Sequence, residues 1–134
     1  MTLPTDERSA CRVLRDYPRR AHLEFFRRNP SPFYAVTFEL DATAVLARAR
    51  ALGVSTYAAL VWAYHRALLK VDAFRTRLQG EDVVLYDSLR VGMTVPAPDR
   101  TFTFASPAWD DDATAFLARA AATLARASEQ VDLS

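Results

Sequence analysis

Two histidines are the side chains best suited to acid–base chemistry, because an imidazole changes its charge near neutral pH. His22 lies beside Glu24 and Phe25 in an arginine-rich segment, and His65 lies in a largely apolar one. Neither has the spacing to a serine, an aspartate or a second histidine that marks a catalytic triad or a metal site. We therefore predict that both are structural or surface residues.

An acidic run, Asp110 to Asp112, is the other group that could carry chemistry, since hard cations bind several oxygen ligands. The run directly precedes a segment with helical periodicity. Carboxylates at that place cap the first turn and complement the helix dipole. We predict a helix cap here and no metal site.

Aromatic residues gather near the ends of the predicted elements: Phe25, Phe26, Phe33, Tyr34, Phe102 and Phe104. Such residues are more often core than pocket, yet a mostly apolar pocket with a few polar groups is what a small acceptor needs. The chain has only three glycines, so a glycine-rich loop that cradles phosphate is not expected.

Short helices and strands must position these residues. Helices are predicted over residues 19–28, 42–52 and 112–127, and a further helix begins after a cap at Ser55 or Thr56. Strands are predicted over residues 34–40, 74–78, 83–86, 91–95 and 101–104. Residues 34–40 alternate in polarity, and 74–78 with 83–86 form a predicted hairpin. The order of elements predicts an α+β fold with helices packed on a mixed β-sheet.

The helix after Ser55 has the strongest periodicity. Its predicted buried stripe consists of Tyr57, Leu60, Val61, Tyr64, Leu68 and Val71, which recur at spacings of three and four.

Composition narrows the class of protein. The chain has 17 Lys and Arg against 16 Asp and Glu, a formal charge of +1, so we expect no nucleic-acid partner. Cys11 is the only cysteine, which excludes an intrachain disulfide and fits a cytoplasmic protein. No apolar run approaches the roughly 20 residues of a membrane span, and the first ten residues do not resemble a signal peptide.

Six segments, taken together, resemble the chloramphenicol acetyltransferase family in order and spacing. They are YPRRAHLEFF at residues 17–26, LDAT at 40–43, DAFRTR at 72–77, LYDS at 85–88, MTV at 93–95 and TFTF at 101–104. The resemblance implies a CoA-dependent acyltransferase fold and transfer of acetyl from acetyl-CoA to a hydroxyl of a small acceptor. It also implies a homotrimer.

In that family a His-His-x-x-x-Asp-Gly motif supplies the base, and a serine hydroxyl stabilises the oxyanion. Neither has a match in this sequence. The resemblance therefore implies that both lie outside this chain, that it carries no catalytic residue of its own, and that it is inactive without a complementary C-terminal half.

The residues that match the family belong to the acceptor side. Arg19, with Arg20 as the alternative, matches the arginine that pairs with the aspartate of the missing motif. Phe25, Phe26, Tyr34 and Phe104 match substrate-binding positions.

The resemblance divides the chain into a flexible lead-in over residues 1–11, a partial acetyltransferase-like domain over 12–127, incomplete at its C-terminus, and a tail over 128–134.

The alternative to an acetyltransferase is a non-catalytic relative that binds a small ligand or serves as an oligomerisation module. Exposed strand edges at residues 91–95 and 101–104 would promote self-association.

Overall fold

The computed structural model describes residues 10–129. Its elements, in chain order, are β1 (Cys11–Val13), α1 (Arg20–Arg27), α2 (Thr43–Ala51), α3 (Thr56–Leu69), α4 (Asp72–Arg75), β2 (Thr76–Gln79), β3 (Asp82–Tyr86), β4 (Met93–Pro96), β5 (Phe102–Ala105) and α5 (Ala113–Glu129). The α+β class is confirmed. Instead of one mixed sheet, the strands in the described range form two separate antiparallel sheets.

The first sheet has the order β1-β3-β2, with β3 in the centre. The predicted hairpin is confirmed as β2 and β3, which close on the pair Gln79↔Asp82. Its first arm begins later than predicted, because Phe74 and Arg75 belong to α4. Gly80 adopts a φ of 60° in the two-residue turn. That conformation favours glycine. β3 is the central strand, and its apolar residues Val83, Val84 and Leu85 are buried.

The sequence does not predict β1, which begins at Cys11 within the expected lead-in. Its residues pair with the free edge of β3, from Cys11↔Tyr86 to Val13↔Val84. A further backbone hydrogen bond from Leu14 N–H to the Val83 carbonyl, 2.8 Å, continues the pairing. Residues 1–9 and 130–134 lie outside the described part of the chain, so the ends of the predicted lead-in and tail are not described.

The second sheet pairs β4 with β5 and packs against α5. Side chains alternate between the two faces along each strand, and the face toward the core carries the buried residues Met93, Val95, Thr103 and Ala105. The aromatic rings of β5 lie on the opposite, exposed face.

The central core joins α3, β4 and α5. Ala58, Val91, Met93, Phe116 and Ala120 form its buried cluster. Val61, Trp62, Trp109, Leu117 and Leu124 pack around that cluster. Ser55 caps α3, because its Oγ accepts a hydrogen bond from the Ala58 N–H at 3.3 Å. The sequence predicted a cap at Ser55 or Thr56, and the structure places it at Ser55. Serine is favoured at the N-cap, the residue directly before the first helical turn.

The predicted buried stripe of α3 is largely wrong, although Val61 does pack against the core. The face that packs into the core carries Ala58, Trp62 and His65, whereas Tyr64 is 66% exposed. The helix is apolar on more than one side, and the prediction from periodicity took the side with the larger residues as the buried one. An aromatic ring from a distant part of the chain selects the other face instead: Trp109 contacts both Trp62 and His65.

The predicted strand over residues 34–40 is also not observed. This segment has no regular structure and its side chains are exposed. Alternating polarity suits a strand, but a strand needs a hydrogen-bonding partner, and the described part of the chain supplies none to this segment.

Candidate functional site

Helix α1 and the segments on either side of it form an open cleft of about 490 Å³. Its lining residues are Tyr17, Arg19, His22, Leu23, Phe26, Pro32 and Tyr34. Apolar and aromatic groups alternate there with a guanidinium, an imidazole and two phenol hydroxyls. This mixture is typical of sites for small organic molecules, which measure about 300–1,000 Å³.

Local structure brings these side chains together. The first turn of α1 folds back on the preceding residues, because the Tyr17 carbonyl accepts a hydrogen bond from Arg20 N–H at 3.1 Å. At the start of the helix, the Leu23 N–H donates to the Arg19 carbonyl at 3.0 Å. Residues at this spacing lie on one face, and Phe26 follows on the same face. Pro30 and Pro32 then end the helix and turn the chain back past the cleft.

Three of the predicted site residues, Arg19, Phe26 and Tyr34, line this cleft. Tyr34 does so from a segment without regular structure and is 90% exposed. Arg19 directly precedes α1, and its guanidinium forms no hydrogen bond or ion pair with the residues that the structure describes. These three side chains are therefore free to face a bound molecule.

Two predicted site residues lie elsewhere. Phe25 does not line the cleft; it packs edge-on against Phe26 with ring centroids 5.2 Å apart. Phe104 lies on the exposed face of β5, 58% exposed and edge-on to Phe102. In this structure neither ring shares the α1 cleft.

Four lining residues were not among the predicted ligands: Tyr17, His22, Leu23 and Pro32. Tyr17, His22 and Leu23 all belong to the YPRRAHLEFF segment, close to a predicted site residue. Helical spacing could have identified His22 and Leu23, because residues three and four apart share a face. Pro32 contributes through the path of the loop, which spacing does not reveal.

His65 is a structural histidine, as predicted. It is 6% exposed, and its Nε2 donates to the Leu89 carbonyl oxygen at 3.2 Å. The ring packs on Trp109 with centroids 4.5 Å apart. Burial lowers the pKa of His65, and the hydrogen bond to Leu89 opposes that shift. Within residues 10–129 the ring nitrogen bonds a main-chain carbonyl and not the carboxylate that a catalytic triad would require.

The acidic run caps α5, as predicted. Asp112 Oδ1 accepts a hydrogen bond from Ala115 N–H at 2.8 Å. Asp110 accepts from Asp112 N–H at 2.9 Å and forms an ion pair with Arg119 at 3.0 Å. Within residues 10–129 no group of three or more possible metal ligands is present. None of the described helices is both long and apolar enough to cross a membrane.

The chain has the fold of a chloramphenicol acetyltransferase. A solved chloramphenicol acetyltransferase superposes on this chain with a TM-score of 0.70 at 24% identity, covering 87% of this chain and 58% of that one. At the level of sequence, residues 12–134 match the family described as chloramphenicol acetyltransferase.

A curated relative, the chloramphenicol acetyltransferase of Streptomyces acrimycini, is 33% identical over 118 residues. The alignment covers 87% of this chain and 54% of the relative, so the chain spans about half the relative's length. The chain belongs to the chloramphenicol acetyltransferase family, which confirms the resemblance drawn from its motifs.

Proposed function

We propose that this chain takes part in the transfer of an acetyl group from acetyl-CoA to a hydroxyl of a small, partly apolar acceptor, and that the α1 cleft is the acceptor side. The observation that carries the proposal is the cleft itself. It gathers Arg19, Phe26 and Tyr34 in a chain of the chloramphenicol acetyltransferase family. Acetyl-CoA is proposed as the donor because the chain belongs to this family, and no residue is assigned to its binding.

The cleft suits such an acceptor in size and in lining. The Phe26 ring, Leu23 and Pro32 offer apolar contact, while the Tyr17 and Tyr34 hydroxyls can exchange hydrogen bonds with polar substituents. We expect the apolar part of the acceptor to lie against Phe26.

The chemistry requires a base, because an alcohol is a poor nucleophile at neutral pH. The base takes the hydroxyl proton as the oxygen attacks the thioester carbon. The resulting tetrahedral intermediate expels CoA as a thiolate, which recovers the proton. We propose that the base and the oxyanion donor come from residues outside these 134, since no His-His-x-x-x-Asp-Gly sequence occurs among them.

Arg19 has a proposed supporting role. A guanidinium can bind a carboxylate with two parallel hydrogen bonds, and Arg19 has no such partner among the described residues. We propose that it binds the aspartate of a complementary half that carries the histidine motif, and so holds the two halves of the site in register.

A reconstitution assay tests the function. The purified chain, with and without a C-terminal half carrying the motif, is mixed with acetyl-CoA, a thiol-trapping dye and hydroxylated drugs that include chloramphenicol. A missing base costs about 10²–10⁴ in rate and a missing oxyanion donor about 10²–10³, so the chain alone should be near background. Turnover by the chain alone that is lost in His22→Ala would overturn this assignment and make His22 the base.

Arg19 is tested in the reconstituted enzyme. Arg19→Lys should lower kcat/KM nearly as much as Arg19→Ala, because lysine keeps the charge but cannot form the two-pronged bond. Arg28→Lys, a surface change outside the cleft, serves as the matched control and should leave activity unchanged. Wild-type activity in Arg19→Lys would refute the anchoring role.

A second candidate is a non-catalytic module that binds a small ligand or oligomerises. The exposed apolar side chains of residues 33–40 favour it, since such surfaces mark interaction sites. Binding of chloramphenicol without turnover in the presence of the complementary half would support this candidate.

We also propose self-association, with a trimer as the expected species. A stable monomer by light scattering at micromolar concentration would contradict it.

A further inference from the structure

Helix α1 carries two adjacent stripes with different tasks. Leu23 and Phe26 of α1 face the cleft together with Arg19, which directly precedes the helix. Each residue one position later, Arg20, Glu24 and Arg27, belongs to a charged stripe. One residue in an α-helix is about 100° of rotation, so the two stripes are a fixed angle apart. Whatever holds the charged stripe therefore sets the direction of the cleft stripe.

The charged stripe contacts the turn between β2 and β3. Arg27 donates from both terminal nitrogens to the two carboxylate oxygens of Glu81, at 2.9 and 2.8 Å. Arg20 donates to the main-chain carbonyl of the same residue at 3.2 Å. Glu24 lies between the two arginines, 3.6 Å from Arg27 and 4.0 Å from Arg20. Both arginines of the helix thus converge on one residue of the hairpin.

Glu81 is well placed to act as a fixed point. It is the second residue of a two-residue turn whose ends pair as Gln79↔Asp82. Gly80 has a positive φ and Glu81 does not. This is the pattern of a type II′ turn, which matches the twist of the strands. The main chain at Glu81 is therefore held by the hairpin and not by α1.

Apolar packing holds α1 only loosely, because none of its residues is buried and Leu23 is only half-buried. A helix as short as α1 is also marginal by itself in water. Exposed ion pairs are usually weak, with two-pronged arginine–carboxylate pairs as the exception. On a helix without a buried face, even a modest interaction decides the orientation.

We propose that Glu81 is a positioning residue: it binds Arg27 and Arg20 and thereby holds α1 in the rotation that directs Arg19, His22 and Phe26 into the cleft. The significance for acetyl transfer rests on the proposed function, whereas the orientation of α1 does not. The contact lies on the charged stripe of α1 and not on the stripe that lines the cleft.

The test uses the full 134-residue chain and two substitutions in one turn. Glu81→Gln removes the charge and one acceptor oxygen, and Asp82→Asn removes the same charge one residue later, where no arginine of α1 is bound. A charge exchange, Glu81→Arg with Arg27→Glu, restores an attractive pair. Hydrogen exchange of the α1 amides reports order of the helix, and the NMR signals of the His22 ring report geometry within the cleft.

We expect Glu81→Gln to speed exchange of the α1 amides by about two- to fivefold and to shift the His22 ring signals, with the β2–β3 amides unchanged. Asp82→Asn should behave as wild type, and the charge exchange should restore slow exchange. At about 1 M salt, the exchange rates of the wild-type α1 amides should approach those of Glu81→Gln, because charge interactions then extend only about 3 Å.

Unchanged α1 exchange and unchanged His22 signals in Glu81→Gln would overturn the positioning role. A general loss of protection that includes β2 and β3 would also overturn it, since it would indicate a hairpin defect. Binding of chloramphenicol, measured by titration of the same samples, addresses the proposed function separately. A wild-type chain that fails to bind it contradicts the acceptor assignment, while the exchange and NMR data still decide the role of Glu81.

Discussion

Replacing His65 should weaken the core in a way that depends on the replacement and on pH. His65 donates a hydrogen bond to the Leu89 carbonyl, and its ring contacts Trp109. A carbonyl oxygen only accepts, so the neutral ring must carry its hydrogen on Nε2. His65→Leu removes this donor, whereas His65→Gln keeps a donor but removes the ring.

The structure sets the size of each effect. In His65→Leu the Leu89 carbonyl loses its partner, which costs about 1–3 kcal/mol of unfolding free energy. In His65→Gln the main loss is the ring contact with Trp109, about 0.5–1.5 kcal/mol. Leucine should therefore be the more damaging replacement, although it is the more hydrophobic one.

The pH dependence has a definite sign. Burial lowers the pKa of folded His65 below its ordinary value of 6.5, so the unfolded chain binds its proton first as pH falls. The free energy of unfolding should therefore decrease as pH falls below about 6.5, down to the lowered folded pKa. This slope should be absent in both variants, because neither replacement titrates in that range.

Urea denaturation followed by tryptophan fluorescence measures both effects, since Trp62 and Trp109 are the two tryptophans of the chain and pack close to His65. Curves at about pH 7.5, 6.5 and 5.5 give the slope. Equal stability of His65→Leu and wild type, or a wild-type slope that persists in His65→Gln, would refute the reasoning.

Two further predictions concern the core and the cap of α5. Phe116 is fully buried in the central cluster. Phe116→Ala should therefore cost about 3–5 kcal/mol of unfolding free energy in urea titrations, and Phe116→Leu should cost less. A loss below about 1 kcal/mol in the alanine variant would contradict this packing. Asp112 accepts the bond from Ala115 N–H. Asp112→Ala should therefore cost about 0.5–2 kcal/mol in thermal melts. The exposed neighbour change Asp111→Ala should stay within about 0.5 kcal/mol. Equal effects of the two aspartate changes would exclude the cap.

Local chemistry in the sequence was sufficient for several elements. Ser55 and Asp112 each bond a backbone N–H three residues ahead, so a short stretch of sequence contains the whole interaction. The hairpin of β2 and β3 follows from two apolar runs around a turn that contains Gly80. Such predictions succeed because both partners of the interaction are neighbours in sequence.

The cleft was predicted in part, for the same reason. Arg19 and Phe26 share the cleft because helical spacing places them on one face, and that spacing is visible in the sequence. Tyr34 joins them through the path of the loop after Pro30. Phe104 lies on β5, outside the cleft, and family likeness alone did not reveal that separation.

Tertiary structure decided the remaining features. β1 has only three residues and no distinctive pattern, and it forms because β3 offers it a free edge. Residues 34–40 have the alternation of a strand but no partner within the described chain. In α3, the choice between two apolar faces depends on Trp109, which is distant in sequence and contacts Trp62 and His65. Periodicity measures how apolar a face is, whereas burial depends on which distant residues come to cover it.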